Sequence, residues 1–145
     1  RGHYYLVGNH ENYDDMSTLR VDRIAHIAVL NERRKPLREI KGYQQQRTFN
    51  VSQYVKEHIY MFGGESITVT FKAKRSIVNQ ILDWFDGNVE FTNITADNVV
   101  CRVRVNHDAF KYWALQYMQS VKVLTPASLV TEVKAAIEEG LRQYS

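Results

Sequence analysis

From residue 66 onward the spacing of apolar positions switches repeatedly between a period of two and one near 3.6, and each switch marks an element. "SITVTFKA" alternates as a strand. "KRSIVNQILDWFDG" then places Ile77, Val78, Ile81, Leu82 and Phe85 on one helix face and stops at Gly87. "NVEFTNI" and "NVVCRVRVN" read as two strands turned at Ala96-Asp97-Asn98. "HDAFKYWALQYMQ" collects Phe110, Trp113, Ala114 and Tyr117 on one helical stripe, and "SVKVLT" returns to strand periodicity. A closing helix follows, with Thr125 as N-cap, Pro126 in its first turn, and Leu129, Val133, Ile137 and Leu141 as its apolar stripe.

That order, strand-helix-strand-strand-helix-strand, predicts a ferredoxin-like βαββαβ domain with an extra C-terminal helix. The pattern before it is weaker. "HYYLVG" reads as a strand, "NHENYDD" as a loop, "STLRVDRI" as a second strand and "AHIAVLN" as a third. "ERRKPLREIKGYQQQRTFN" has no period, carries Pro36 and Gly42, and reads as a linker. "VSQYVKEHIYMF" predicts a short helix, capped by Asn50 or Ser52 and ended by Gly63-Gly64. The chain thus divides into a β unit with linker (1–49), a connecting helix with the glycine pair (50–64) and an α+β domain (65–145).

Composition narrows the classes. A chain of 145 residues, 44% hydrophobic, forms one ordinary domain or two small ones around a real core. One cysteine excludes an internal disulfide and a multi-cysteine metal site, and no run of roughly 18 apolar residues is present to span a membrane. A reducing, cytoplasmic setting fits these facts. The chain begins at Arg1 instead of Met, so it reads as a piece of a longer protein.

Charge is uneven in a way that matters. The net +3 arises entirely within residues 1–60, which hold ten Lys/Arg against seven Asp/Glu, while residues 61–145 hold nine of each. From Arg20 to Arg47, eight cations face only Asp22, Glu32 and Glu39. Such a stretch is either a solvated surface or a polyanion-binding patch.

Most candidate chemistry dissolves on inspection. His3, His10, His26, His58 and His107 share no metal-ligand spacing, and His107 beside Asp108 reads as part of a helix N-terminus. Cys101 falls at an inward position of its strand, where a small core residue is expected in place of a nucleophile. Arg102 and Arg104 share the opposite face of that strand, as a secondary anion site, a dimer contact or solvated charges. Gly63-Gly64 is followed by "ESIT", so it is no phosphate loop. Trp84, Phe85, Phe110, Trp113 and Tyr117 read as core. No nucleophile–base pair and no paired carboxylates point to an enzyme, and no cofactor is expected.

Taken together, these elements resemble a known family. "GHYYLVG…STLRVDRI" is similar to the second half of the WYL domain of bacterial transcriptional regulators, with the namesake tripeptide at Tyr4-Tyr5-Leu6 and the arginine-bearing strand at Leu19-Arg20-Val21-Asp22-Arg23-Ile24. "MFGGESITVTFKAKRSIVNQILDWF" and "AFKYWALQYMQSVKVLTPASLVTEVKAAIEEGLRQY" resemble the extension that follows such domains, WCX. The resemblance implies a strongly bent Sm- or SH3-type barrel, here partial, followed by the ferredoxin-like extension. It also implies a helix-turn-helix domain upstream that contacts DNA.

Chemistry and resemblance meet at the first two strands. Alternation puts Tyr4 with Leu6 and Tyr5 with His3 and Val7, and strand pairing across the loop sets an aromatic beside a guanidinium. Such a pair suits an anionic ligand with a flat ring, a nucleotide or single-stranded nucleic acid, with Asp22 orienting Arg20 or Arg23. The expected site is therefore Tyr4, Tyr5, Arg20, Asp22 and Arg23, Tyr4 being the tyrosine expected to pack. The expected function is effector sensing and homodimerisation for a transcriptional regulator. A ligand-free dimerisation module is the alternative.

Overall fold

The computed structural model describes residues 3–85 and 87–145. Gly2, at the head of the stretch that carries the family resemblance, and Asp86, near the end of the expected first long helix, lie outside them. The fold is α+β, with two antiparallel sheets.

The larger sheet has four strands, β3 (Ser66–Lys74), β4 (Val89–Ile94), β5 (Asn98–Asn106) and β6 (Val121–Thr125). Their spatial order is β4-β5-β3-β6, and every neighbouring pair is antiparallel. Helices α2 (Val78–Phe85) and α3 (His107–Gln116) connect β3 to β4 and β5 to β6, and α4 (Ala127–Arg142) closes the chain. The element order matches the one the periodicity predicts.

Alternation assigns the two faces of this sheet. Val69, Phe71 and Ala73 of β3, Val99, Cys101, Val103 and Val105 of β5, and Val123 of β6 all point into the core. Phe85, Phe110 and Trp113 meet Phe71 there, the Phe85 and Trp113 rings edge-on at 4.7 Å. Leu129 and Val133 of α4 complete the layer. Aromatic edge-to-face contacts and removal of apolar area from water together hold the helices to this one face. The other face carries no helix from this unit.

The smaller sheet is a hairpin, β1 (Tyr5–Asn9) with β2 (Met16–Arg20), in the register Tyr5 to Arg20 and Asn9 to Met16. It packs on a second, separate core of Met16, Ile40 and Tyr54, flanked by Val7, Leu37, Tyr43, Phe49 and Met61. The segment read as a linker is therefore anchored at four of these positions. It lacks periodicity because it runs in single turns, including one 3-10 turn at Leu37–Glu39, over a small core.

Two sequence expectations fail in the hairpin unit. The second strand ends at Arg20, and Val21–Arg23 form a 3-10 turn instead of continuing it. The third strand, "AHIAVLN", is not formed: residues 25–30 have no regular structure, and Val29 is fully exposed. A strand needs a hydrogen-bonding neighbour to exist, and among the described residues none lies beside this segment.

Helix boundaries also move. Helix α1 covers only Val51–Glu57, because Asn50, not Ser52, caps it through Gln53 N–H (3.0 Å), and Met61 beyond it has a positive φ of 55°. Asn106, not His107, caps α3, its side chain accepting from Ala109 N–H at 3.0 Å. Pro126, not Thr125, holds the N-cap position of α4, with no side-chain cap bond; Thr125 ends β6.

Candidate functional site

The glycine pair decides how the two units meet. A Cβ on Gly63 would stand 2.8 Å from the backbone oxygen of Met16, and Gly64 adopts φ of +100° while its N–H reaches Met16 O at 3.4 Å. Only residues without a side chain permit this approach. Asn106 locks the same joint, its buried side-chain amide donating to the carbonyls of Gly63 (3.1 Å) and Glu65 (3.3 Å). His58, buried beneath, stacks on Tyr54 at 3.8 Å and lies 2.8 Å from the Tyr54 carbonyl through Nδ1.

A cavity of about 380 Å³ opens at this joint. Its wall comes from both units: Asp15 and Met16 of the hairpin, Tyr43, Gln53 and Glu57 around α1, and Arg104 of β5. Glu57 is 12% exposed, accepts from Gln53 Nε2 at 2.6 Å and sits 3.3 Å from Arg104 Nε. Burial pushes the Tyr43 hydroxyl up to about 12, with the charges of Tyr54 and Glu57 adding to the rise. The lining is thus rich in amides and hydroxyls with charge of both signs, suited to a polar ligand with several hydrogen-bonding edges.

The residues expected from sequence stand elsewhere. Arg20 and Met16 close opposite ends of β2, and none of Tyr4, Tyr5, Arg20, Asp22 or Arg23 lines this cavity. Part of that set is nevertheless assembled. Tyr5 is directly opposite Arg20 in the hairpin register. Asp22 takes two hydrogen bonds from the Arg20 guanidinium, from Nε at 3.0 Å and from a terminal nitrogen at 2.6 Å, the latter nitrogen also lying 3.2 Å from His3 Nδ1. The hydrogen bond from Arg20 holds the Asp22 carboxyl below its usual range, and the same bond raises the Arg20 guanidinium. The turn at 21–23 brings the carboxylate back onto its neighbour, which an uninterrupted strand would not do as closely.

Arg23 and Tyr4 do not join this group. Arg23 is exposed, with no ion pair among the described residues, and Tyr4 is 85% exposed. Tyr5 is the half-buried tyrosine, contrary to the expectation that Tyr4 packs, because Tyr5 shares its face with Val7 of the small core.

Among the remaining candidates, Cys101 is fully buried and its thiol is pushed up to about 11 by that burial, as suits a core residue. Arg102 and Arg104 share the exposed face of β5, as alternation required, with Arg104 alone reaching the cavity. The amide and hydroxyl lining from Tyr43 to Gln53 went unseen in the sequence, since no periodicity marks residues that converge through irregular turns. Among the described residues no cluster of three His, Cys, Asp or Glu can hold a metal, and no helix is long and apolar enough to cross a membrane.

Residues 64–141 match the family model described as the WCX domain. No curated protein matches the chain.

Proposed function

The chain belongs to the WCX-domain family, the extension that accompanies WYL-type regulators, and on that premise we propose that it is the effector-sensing and dimerising region of a bacterial transcriptional regulator. In this reading the hairpin unit is the closing part of a WYL domain with an Sm-like barrel, and residues 66–125 form a ferredoxin-like extension. The ligand is a nucleotide or a single-stranded nucleic acid, bound through Arg20, with Arg23 and Tyr5 at its edge, in a cytoplasmic protein without a cofactor or an enzymatic step. Ligand binding would bias the arrangement of two chains and so of a helix-turn-helix domain on the same polypeptide.

The observation that carries this reading is the guanidinium of Arg20, fixed by two hydrogen bonds to Asp22 directly across the hairpin from Tyr5. These bonds use Nε and one terminal nitrogen, and among the described residues the other terminal nitrogen has no partner and is available to an anionic oxygen. Preorganisation by a carboxylate lowers the entropy lost when phosphate binds.

The test is thermal unfolding of the chain at low salt with mononucleotides, cyclic dinucleotides and short single-stranded DNA. One of these should raise the melting temperature, and Arg20→Ala should abolish that rise without lowering the unliganded melting temperature by more than a degree or two. Unchanged melting with every ligand, or an undiminished rise in the variant, would sink the Arg20 site.

One observation favours the simpler reading of a ligand-free dimerisation module. Leu6 and Leu19 on the outer hairpin face, and Ile27, Val29 and Leu30 beyond it, are all exposed. Large apolar side chains left exposed in one unit of a fold are a common mark of an interface.

A further inference from the structure

The face of the four-stranded sheet turned away from α2, α3 and α4, which α1 meets at Arg104 through Glu57, carries a charge pattern that folding does not explain. Lys72 and Lys74 of β3, Arg102 and Arg104 of β5, and Lys122 of β6 are all exposed, each next in sequence to a core-facing residue, so alternation puts them on this one face. Within the four strands the only carboxylate is Glu90. Lys72 lies directly opposite Lys122 in the β3–β6 register, a like-charge pair that opposes sheet formation.

Helices α3 and α4 of the same unit pair their lysines and arginine with carboxylates. Lys111 reaches Glu132, Lys134 reaches Glu138 and Arg142 pairs with Glu139. On the sheet face Arg104 is paired, to Glu57 at 3.3 Å, and Arg102 lies opposite Glu90 in the β4–β5 register without closing an ion pair; Lys72, Lys74 and Lys122 have no ion-pair partner among the described residues. The face also offers neutral donors, with Thr68 opposite Arg104 and Thr70 opposite Arg102. A depression of about 320 Å³ lined by Thr68, Asn88, Glu90, Arg102 and Arg104 runs into its β4 side.

We infer that this sheet face is a docking track for the sugar-phosphate backbone of a single-stranded nucleic acid, held by Lys72, Lys122, Arg102 and Arg104. Lys72 and Lys122 stand roughly 5 Å apart across strands, and Arg102 and Arg104 about 7 Å apart along β5, as Lys72 and Lys74 do along β3. That spacing lets successive phosphates of an extended strand each find a cation, and the threonine hydroxyls supply the hydrogen bonds that fix its position. No aromatic side chain lies among these face residues, so the track reads backbone charge and leaves base contacts to other surfaces. Arg104 also lines the 380 Å³ cavity at the joint between the units, which gives a nucleotide at that end of the strand a polar recess to enter. The inference rests on the ligand class proposed above but on a different surface from Arg20.

The experiment measures fluorescence anisotropy of a labelled oligodeoxythymidine of about twelve nucleotides, a length within the usual site size, titrated with the whole chain at about 50 and 200 mM salt. The Lys72→Gln/Arg102→Gln/Lys122→Gln variant should bind at least tenfold more weakly at low salt. Its log affinity should also fall less steeply with log salt, by about 0.7 for each phosphate contact removed. Restoring charge with Lys72→Arg and Lys122→Arg should keep the affinity within about threefold of the parent, since phosphate needs only the cation. Arg20→Ala, assayed beside it, separates the two sites. Parent-like affinity and salt dependence in the glutamine variant would overturn the track while leaving the Arg20 reading intact. So would equal affinity for a duplex of the same length, or no binding by the parent chain. Loss in Arg20→Ala alone would return the ligand to the hairpin.

Discussion

At Gly63 a single hydrogen atom separates a packed joint from a clash. Alanine there would push its Cβ against the Met16 carbonyl at 2.8 Å, and the atom in the way is backbone that cannot swing aside. Gly63→Ala should therefore cost about 1 to 3 kcal/mol, the usual range for overpacking, seen as a lower denaturant midpoint with an unchanged slope. Tyr43 is the residue whose protonation feels the same joint. Its hydroxyl is raised to about 12 and the Cys101 thiol to about 11, so the unfolded chain releases both protons at lower pH than the folded protein does. From about pH 9 to 12 the native state holds more protons, and stability falls across that window while these groups leave it flat below. Urea midpoints measured at pH 8, 10 and 11 should show the decline, and Tyr43→Phe should make it shallower. Identical pH profiles for parent and variant would remove Tyr43 from that account.

Elements in this chain succeed or fail according to whether their partners exist. Strands β3 and β5 are paired along nine residues and fill one face with Val, Phe and Cys, so alternation alone identified them. "AHIAVLN" has the same alternation and β-branched content, yet residues 25–30 form no strand, because propensity cannot substitute for a neighbour's hydrogen bonds. The cap of α4 was misplaced by one residue for a related reason: Thr125 and Pro126 are both acceptable at a helix start, and only the backbone path selects between them. Asn106 has a further duty, since one side chain caps α3 and holds the carbonyls of Gly63 and Glu65. Asn106→Ala should cost ~2–3 kcal/mol, more than the ~1 kcal/mol of losing an ordinary cap such as Asn50. Equal losses in the two variants, compared by chemical denaturation, would show that the joint does not depend on the amide.

For the whole molecule, the two cores meet at one joint, and each unit leaves a distinct surface exposed. The hairpin unit exposes apolar side chains from Leu6 to Leu30 beside its own cations, while the open sheet face exposes cations and no large apolar group except Leu124. If the apolar region joins two chains, sedimentation should show a mass that rises with concentration, and Leu19→Glu/Val29→Glu should hold the chain monomeric. A concentration-independent monomer mass for the parent would exclude the dimer. Because the sheet face lies on the other unit, that double variant should leave oligonucleotide affinity per chain unchanged.

The sequence by itself determined what repeats along the chain. Periods of two and 3.6 are local, so β3 to β6, the helices between them and the core stripe of Phe71, Phe110 and Trp113 could be read residue by residue. It also placed Arg102 and Arg104 on a common face and set Asp22 beside Arg20 and Arg23, of which the structure chose Arg20. Only the tertiary structure decided what converges from afar. It alone showed that Asp15, Tyr43, Glu57 and Arg104, taken from four separate segments, share one cavity, that Gly63-Gly64 is a close-packed contact instead of a slack hinge, and that Lys72 faces Lys122. Those facts depend on the path of the backbone between elements, which is set by packing across the whole fold and leaves no period in the sequence.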